Sequence, residues 1–139
     1  MPSITVYCKV KGWKRPRFDG RNRRVFEPDD QKELKALIAA AWREKHPGEY
    51  FPKGVPLRMS VESFRPLPES RPKRITWEPD VCKPDADNIL KLCADALNGV
   101  AYHDDAQIVE KKATKRPRRR GVQEGVYIQV DKVRYELYA

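Results

Sequence analysis

The sequence is poor in features that define several large classes of protein. No apolar run is long enough to span a bilayer, and lysines and arginines interrupt any apolar core of a signal peptide near the N-terminus. We therefore expect a cytoplasmic protein without a membrane partner. The three cysteines are widely spaced, and Cys8 and Cys93 lie on apolar patterns typical of buried thiols in a reducing compartment. With two histidines and no C-x-x-C motif, a zinc site is not expected.

Motifs of common enzyme classes are missing as well. The sequence has no glycine-rich phosphate-binding loop, no dinucleotide-binding glycine pattern and no Ser-His-Asp or Cys-His arrangement. It also has no internal repeat and no interdomain linker, so residues 1–139 are expected to form one domain with one modest core. What it does have is charge: 35% of residues are charged and the net charge is +9. This surplus favours a polyanionic partner, most simply a nucleic acid.

Hydrophobic periodicity predicts an α+β fold, a mixed β-sheet with two main helices packed on one face. Strands are expected at 3–10, around 57–61, at 107–115 and at 126–130, and helices at 28–45 and 88–100. The last two strands are expected to pair as a hairpin, and 75–77 is expected to form a short strand. The first helix carries a core-facing stripe of Leu34, Leu37, Ile38, Ala41 and Trp42.

Two basic segments are candidates for contact with DNA. The loop 11–26 interleaves Trp13, Phe18 and Phe26 with cations, and such a mixture suits phosphates and unpaired bases. The proline-rich loop 66–79 is the second segment, and a solvated surface loop is the alternative for both. The candidate DNA-binding residues are Lys14, Arg15, Arg17, Arg21, Arg23, Arg24, Arg71, Lys73 and Arg74.

An acidic segment interrupts this basic trend. Asp85 and Asp87 alternate along what is expected to be extended chain, so both side chains are expected to reach one hard cation. Asp87 is the expected N-cap of the second helix, and Asp104 and Asp105 follow the turn after that helix. Because clustered carboxylates repel each other, a divalent metal is the simplest explanation: Mg²⁺, with Mn²⁺ as a substitute.

The same segment resembles the core of the RusA-type Holliday junction resolvases. The resemblance is carried by Lys83-Pro84-Asp85-Ala86-Asp87-Asn88, Lys91, Asp95-Ala96-Leu97-Asn98-Gly99-Val100 and Asp104-Asp105-Ala106-Gln107. It implies a small homodimeric, Mg²⁺-dependent endonuclease that resolves four-way DNA junctions by paired nicks in recombination and repair. It also implies that Asp85, Asp87 and Asp105 hold the metal and that Lys91 assists catalysis.

The residues alone leave several alternatives open. Spacing does not separate Asp104 from Asp105 as the third ligand. Asp95 either pairs with Lys91, orients the ligands from behind or is itself a fourth ligand. Asn88 is expected to support the site by hydrogen bonding, and His103 is expected to be a turn residue. A broader structure-selective nuclease and a non-catalytic nucleic-acid-binding protein are the alternative functions.

The apolar tail bears on assembly. Val133, Tyr135, Leu137 and Tyr138 follow the last predicted strand and either cover the chain's own core or pack across a dimer axis.

Overall fold

The structure, a computed structural model, describes the backbone of residues 2–138 and the side chains of residues 2–136. Within that part of the chain, eight strands and two α-helices follow one another. The strands are β1 (Ser3–Tyr7), β2 (Arg17–Asp19), β3 (Arg24–Phe26), β4 (Leu57–Phe64), β5 (Trp77–Glu78), β6 (Ile108–Lys115), β7 (Arg118–Arg119) and β8 (Gly125–Lys132). The helices are α1 (Asp29–Lys45) and α2 (Ala86–Leu97), with short 3₁₀ turns at Asp105–Gln107 and Tyr135–Tyr138.

A four-stranded mixed sheet forms the centre of the fold, in the order β1-β8-β4-β6. β4 pairs antiparallel with β8 and parallel with β6, while β1 pairs antiparallel with β8. Alternate residues of β4, Leu57, Met59 and Val61, are buried in the core that the sheet shares with the helices. The prediction of an α+β fold with both helices on one face of a mixed sheet is confirmed.

Helix α1 has acidic residues in its first turn and basic residues in its last, which suits the helix dipole. Its buried face runs through Leu34, Ile38 and Trp42, each one turn after the other. The expectation that Leu37 also faces the core is wrong, because Leu37 is 46% exposed. Leu37 lies to one side of the buried stripe, which is formed by the residues at i, i+4 spacing, Leu34, Ile38 and Trp42.

The predicted hairpin of the last two sheet strands is also wrong. β4 lies between β6 and β8, so these two strands are not neighbours. After β6 the chain leaves the sheet, and β7 pairs with β5 in a separate two-stranded arm. A short strand is expected at 75–77, and the structure has one at Trp77–Glu78, so the prediction shares only Trp77 with it.

The basic segment 11–26 is more ordered than a loop. β2 and β3 pair antiparallel, with Phe18 opposite Val25. Asp19 stabilises the turn by accepting hydrogen bonds from the backbone N–H of Arg21 (2.9 Å) and from the Asn22 side chain (2.8 Å). A short Asx-type turn therefore converts this segment into a hairpin.

The remaining expectations have mixed outcomes. Val133 is buried, and its N–H donates to the carbonyl of Pro56 (3.1 Å), so this part of the tail covers its own chain. The expectations for the side chains of Leu137 and Tyr138 lie outside the described side chains. Cys93 is buried as predicted, whereas Cys8 is only half-buried. None of the described helices has the length and apolar character needed to cross a membrane.

Candidate active site

The start of α2 differs from the sequence prediction. Asp85, not Asp87, is the N-cap: its backbone is extended (ψ 150°), and its carbonyl accepts the first helical hydrogen bond, from Ile89 N–H (3.0 Å). Asp87 lies in the first helical turn. The two carboxylates therefore do not alternate along a strand. The i, i+2 spacing in an extended chain, from which the sequence predicts a shared cation, does not occur here.

A cleft of about 730 Å³ opens where α2 meets β6 and the turn that follows α2. Its polar lining consists of Asp87, Asn88, Lys91, Asp105 and Lys111. Four of these residues are predicted site residues, delivered by one face of α2 and by the return turn. Carboxylate and ammonium groups thus face the same solvent-accessible space.

The return turn distinguishes the two adjacent aspartates. Asp104 caps the 3₁₀ turn: its carboxylate accepts from Ala106 N–H (3.1 Å), and its own N–H donates to Gln107 Oε1 (2.9 Å). Buried Tyr102 fixes the turn to α2 by donating from its hydroxyl to the carbonyl of Ala94 (2.5 Å). Asp104 is therefore occupied with local structure, while Asp105 lines the cleft.

The two aspartates also differ in their acidity. Partial burial, the hydrogen bond with Asp104 and the negative charge of Asp95 raise the pKa of Asp105, and Lys111 opposes this effect. The hydrogen bond from Ala106 N–H holds the pKa of Asp104 below its ordinary value. The cleft thus contains a carboxyl group whose ionisation a nearby cation would favour.

Asp85 does not line the cleft. Both its carboxylate oxygens lie close to Lys83 Nζ, at 2.9 and 3.0 Å, on an exposed surface. Among the described residues, no group of three histidine, cysteine or acidic side chains is close enough together to hold a metal ion. An exposed ion pair of this kind is weak, so little opposes rotation of Asp85 away from Lys83.

The donor set of the cleft suits a hard divalent cation. Asp87 and Asp105 supply carboxylate oxygens to one space, and the Asn88 amide adds a neutral donor nearby. Mg²⁺ is commonly held by one or two carboxylates, with waters and substrate phosphates completing its octahedron. The residues present therefore fit such an ion, with Asp85 available from the adjoining N-cap.

One prediction from the sequence is that Lys91 and Asp95 form an ion pair, and the structure does not show this pair. The Lys91 ammonium lies over the ring of Trp13, 3.5 Å from its centroid. Asp95 instead faces α1, where Lys35 Nζ lies 3.7 Å from its carboxylate and 2.5 Å from that of Glu27. Lys91 thus keeps its positive charge near the cleft without a carboxylate partner among the described residues.

Lys111 is the cleft residue that sequence reasoning missed. In β6 the register shifts, so that Leu57 pairs with Ile108 but Arg58 pairs with Glu110. The bulge at Val109 turns Lys111 to the helix-facing side, level with buried Met59. A signal was present: apolar Ile108 and Ala113 are an odd number of positions apart, which a regular strand would place on opposite faces.

The predicted DNA-binding residues divide into two groups. Lys14, Arg15, Arg17, Arg21, Arg23 and Arg24 are all exposed on or beside the β2–β3 hairpin. Lys73 and Arg74 are exposed near β5, but Arg71 is paired with Glu78 through two hydrogen bonds of 2.8 and 3.2 Å. His103 is exposed in the return turn, as expected.

An α+β domain with carboxylates and ammonium groups in one cleft, and with an exposed basic hairpin, has the features of an enzyme that cuts phosphate esters. A family model described as endodeoxyribonuclease RusA matches residues 8–131. The chain therefore belongs to the endodeoxyribonuclease RusA family, a family of nucleases that cut DNA.

Two relatives are consistent with this assignment. The uncharacterized protein YqaN of Bacillus subtilis (strain 168) is 35% identical over 122 residues, covering 81% of this chain and 84% of the relative. The crossover junction endodeoxyribonuclease rusA of Lactococcus phage r1t is 34% identical over 79 residues, covering 56% of this chain and 58% of the relative.

Proposed function

We propose that the protein is a Mg²⁺-dependent endonuclease that resolves four-way DNA junctions by paired symmetric nicks, in DNA recombination and repair. The observation that carries the proposal is the cleft in which Asp87 and Asp105 face Lys91 and Lys111, in a chain of the RusA family. The phage relative, named a crossover junction endodeoxyribonuclease, supports the choice of a branched substrate.

We assign a separate role in cleavage to each residue of the cleft. Asp87 and Asp105, joined by Asp85, would hold the divalent ion, for which Mn²⁺ could substitute. When bound, that ion supplies Lewis-acid polarisation of a phosphoryl oxygen and a lower pKa for the attacking water. Lys91 and Lys111 would stabilise the negative charge that develops on the phosphate, and Asn88 would orient groups in the cleft by hydrogen bonding.

The proposed assembly is a homodimer. A four-way junction has approximate two-fold symmetry, and its resolution requires a nick in each of two opposed strands. A C2 dimer presents one cleft to each strand, and C2 is the commonest symmetry of protein oligomers. A plasmid-borne junction should then give linear product without accumulating nicked circles, whereas a monomeric nicking enzyme would accumulate them.

The proposal is tested with Asp85→Asn, Asp87→Asn and Asp105→Asn. Each variant should reduce cleavage of a labelled synthetic junction to background across a titration of Mg²⁺. Each should bind the junction as tightly as the wild type or more tightly, because it removes negative charge beside phosphate. Gel-shift titrations in EDTA measure binding separately from cleavage.

Asp104→Asn provides a matched control. Asparagine caps turns as aspartate does, so this variant should fold and cut normally. Cleavage that survives Asp105→Asn but not Asp104→Asn would contradict the assignment of Asp105. Equal cleavage of flaps, forks and junctions would indicate a broader structure-selective nuclease, and binding without cleavage of any substrate would indicate a non-catalytic nucleic-acid-binding protein.

A further inference from the structure

Trp13 precedes the basic hairpin in the chain and contacts Lys91 of the proposed active site. It follows the edge strand β1 and precedes β2 by only a few residues, and its half-buried ring packs under the ammonium of Lys91. We propose that Trp13 is a positioning residue that holds the Lys91 ammonium at the mouth of the cleft. This inference rests on the catalytic role of Lys91 in the proposed function.

The backbone around Trp13 is fixed to the start of α2. The N–H of Trp13 donates to the carbonyl of Asn88 at 2.9 Å. Gly12 is buried so closely against the same helix that an added Cβ would lie 2.8 Å from Pro84 Cβ and 3.1 Å from Asn88 Cβ. The indole is therefore held by main-chain contacts to the segment that carries Asp85 and Asp87.

The flanking residues are fixed to other elements. The N–H of Val10 donates to Glu124 (2.6 Å), and the N–H of Lys14 donates to the side chain of buried Gln31 on α1 (2.7 Å). These contacts on both sides leave the Trp13 backbone little freedom. A ring that is fixed in this way can determine the position of a flexible side chain that packs on it.

Lysine needs such a partner because its side chain has four rotatable bonds and a strongly hydrated charge. Tryptophan is the best aromatic partner for a cation, and the Nζ–centroid distance of 3.5 Å is well within the range of the interaction. A carboxylate at this position would also hold the ammonium, but it would neutralise the charge. The indole ring localises Lys91 and leaves its full positive charge available to a phosphate.

The test compares Trp13→Leu with the conservative Trp13→Phe. In single-turnover cleavage of a four-way junction at saturating protein, Trp13→Leu should slow the cleavage step about tenfold, while the junction Kd changes less than about twofold. Trp13→Phe retains an aromatic face and should recover most of the rate. Tyr50→Leu, which removes an exposed aromatic ring outside the cleft and outside both basic segments, should leave the cleavage step unchanged.

A double-mutant cycle identifies the route of the effect. If Trp13 acts through Lys91, adding Trp13→Leu to Lys91→Ala should cause no further loss of rate. The ε-protons of Lys91 should also show an upfield ring-current shift in the NMR spectrum of the wild type, which Trp13→Leu abolishes. The shift reports whether the ring and the ammonium are in contact, and the cycle reports whether that contact affects the rate: if Trp13 only stabilised the fold, the two losses would multiply in the double variant.

The possible failures are distinguishable. Wild-type cleavage by Lys91→Ala would overturn the catalytic role of Lys91 and this inference with it. The role of Trp13 alone would be overturned if Lys91→Ala cut slowly while Trp13→Leu cut at the wild-type rate. It would also be overturned if the two losses of rate multiplied in the double variant. The role of Trp13 would likewise be overturned if Trp13→Phe cut as slowly as Trp13→Leu while its unfolding temperature equalled that of the wild type.

Discussion

The β2–β3 hairpin and the β5–β7 arm are both rich in arginine but use their charges differently. Both are short two-stranded extensions, and the sequence makes both of them candidates for DNA contact, with a solvated surface loop as the alternative. In the hairpin, the structure shows no ion pair or hydrogen bond from the side chains of Arg15, Arg17, Arg21, Arg23 or Arg24 to any described residue. In the arm, the arginines largely hold the protein itself together.

Two arginines illustrate the structural use of charge in the arm. Arg120 donates to the carbonyls of Arg71 (3.0 Å), Pro72 (2.7 Å) and Ile75 (3.0 Å), which closes the proline-rich loop over the arm. Arg71 is paired with Glu78. Proline-rich chain leaves many carbonyls without a backbone donor, and the five N–H groups of arginine can satisfy them.

The arm is anchored by a buried acidic residue. The Asp80 side chain is 1% exposed and receives hydrogen bonds of 2.9 and 2.6 Å from Arg65, while Lys115 Nζ lies 3.8 Å away. Arg65 and Lys115 also donate to the carbonyl of Cys82, just before the segment that carries Asp85. The anchor therefore fixes the approach of the chain to the cleft.

The largest expected effect comes from breaking this anchor. Asp80→Asn would leave the partly buried Arg65 and Lys115 without their carboxylate, and we expect the free energy of unfolding to fall by about 3 kcal/mol. Urea denaturation at pH 7 measures the change. Glu78→Gln, which breaks the exposed pair of the same arm, should have a far smaller effect, and equal losses in the two variants would contradict the distinction.

The same anchor predicts a dependence on pH. Burial opposes ionisation of Asp80, but the hydrogen bonds from Arg65 and the charges of Arg65 and Lys115 outweigh it and keep the pKa of the carboxyl below its ordinary value. A group with a lowered folded pKa contributes stability above its unfolded pKa of about 3.9 and loses it as the pH falls through the folded pKa. Wild-type stability should therefore fall more steeply than that of Asp80→Asn below about pH 4.

A third prediction sharpens the comparison through DNA binding. Replacement of Arg15, Arg17 and Arg21 by alanine should weaken binding to all DNA sequences, because phosphate contacts are lost. The slope of log K against log salt should shrink by about 0.9 for each duplex phosphate contact removed. Arg71→Ala is the matched control in the arm and should leave the slope nearly unchanged, since Glu78 already neutralises that charge. Equal changes in the salt slope from the hairpin and arm variants would show that the two regions do not differ in their contact with DNA.

The smallest expected effect concerns the apolar pair on the hairpin. Phe18 is 68% exposed opposite Val25, as an aromatic ring available for base stacking would be. Phe18→Ala should weaken junction binding by about 1 kcal/mol, the lower end of the range for stacking on one base, and leave linear duplex binding unchanged. Gel-shift titrations of both DNAs measure the difference, and an equal loss on both would show that Phe18 does not contact unpaired bases.

The parts of the fold that follow from local pattern were predictable. The alternation of Leu57, Met59 and Val61 and the helical stripe of α2 indicate a strand and a helix whatever surrounds them. Strand order does not follow from local pattern, because any two strands can pair if the chain between them permits it. Here β4 separates β6 from β8, and the segment predicted as their hairpin turn pairs with β5 instead.

The sequence by itself determined the composition of the site: oxygen donors and lysines close together in a basic chain, at spacings that resemble one family. Only the tertiary structure decided which of these groups share a cleft. The N-cap position places Asp85 on the surface beside Lys83, and the capping box engages Asp104 in hydrogen bonds within its own turn. The bulge at Val109 turns Lys111 towards the cleft. The first two outcomes depend on which of several possible local hydrogen bonds form, and the third on the register between β6 and the distant strand β4. Sequence spacing alone fixes neither.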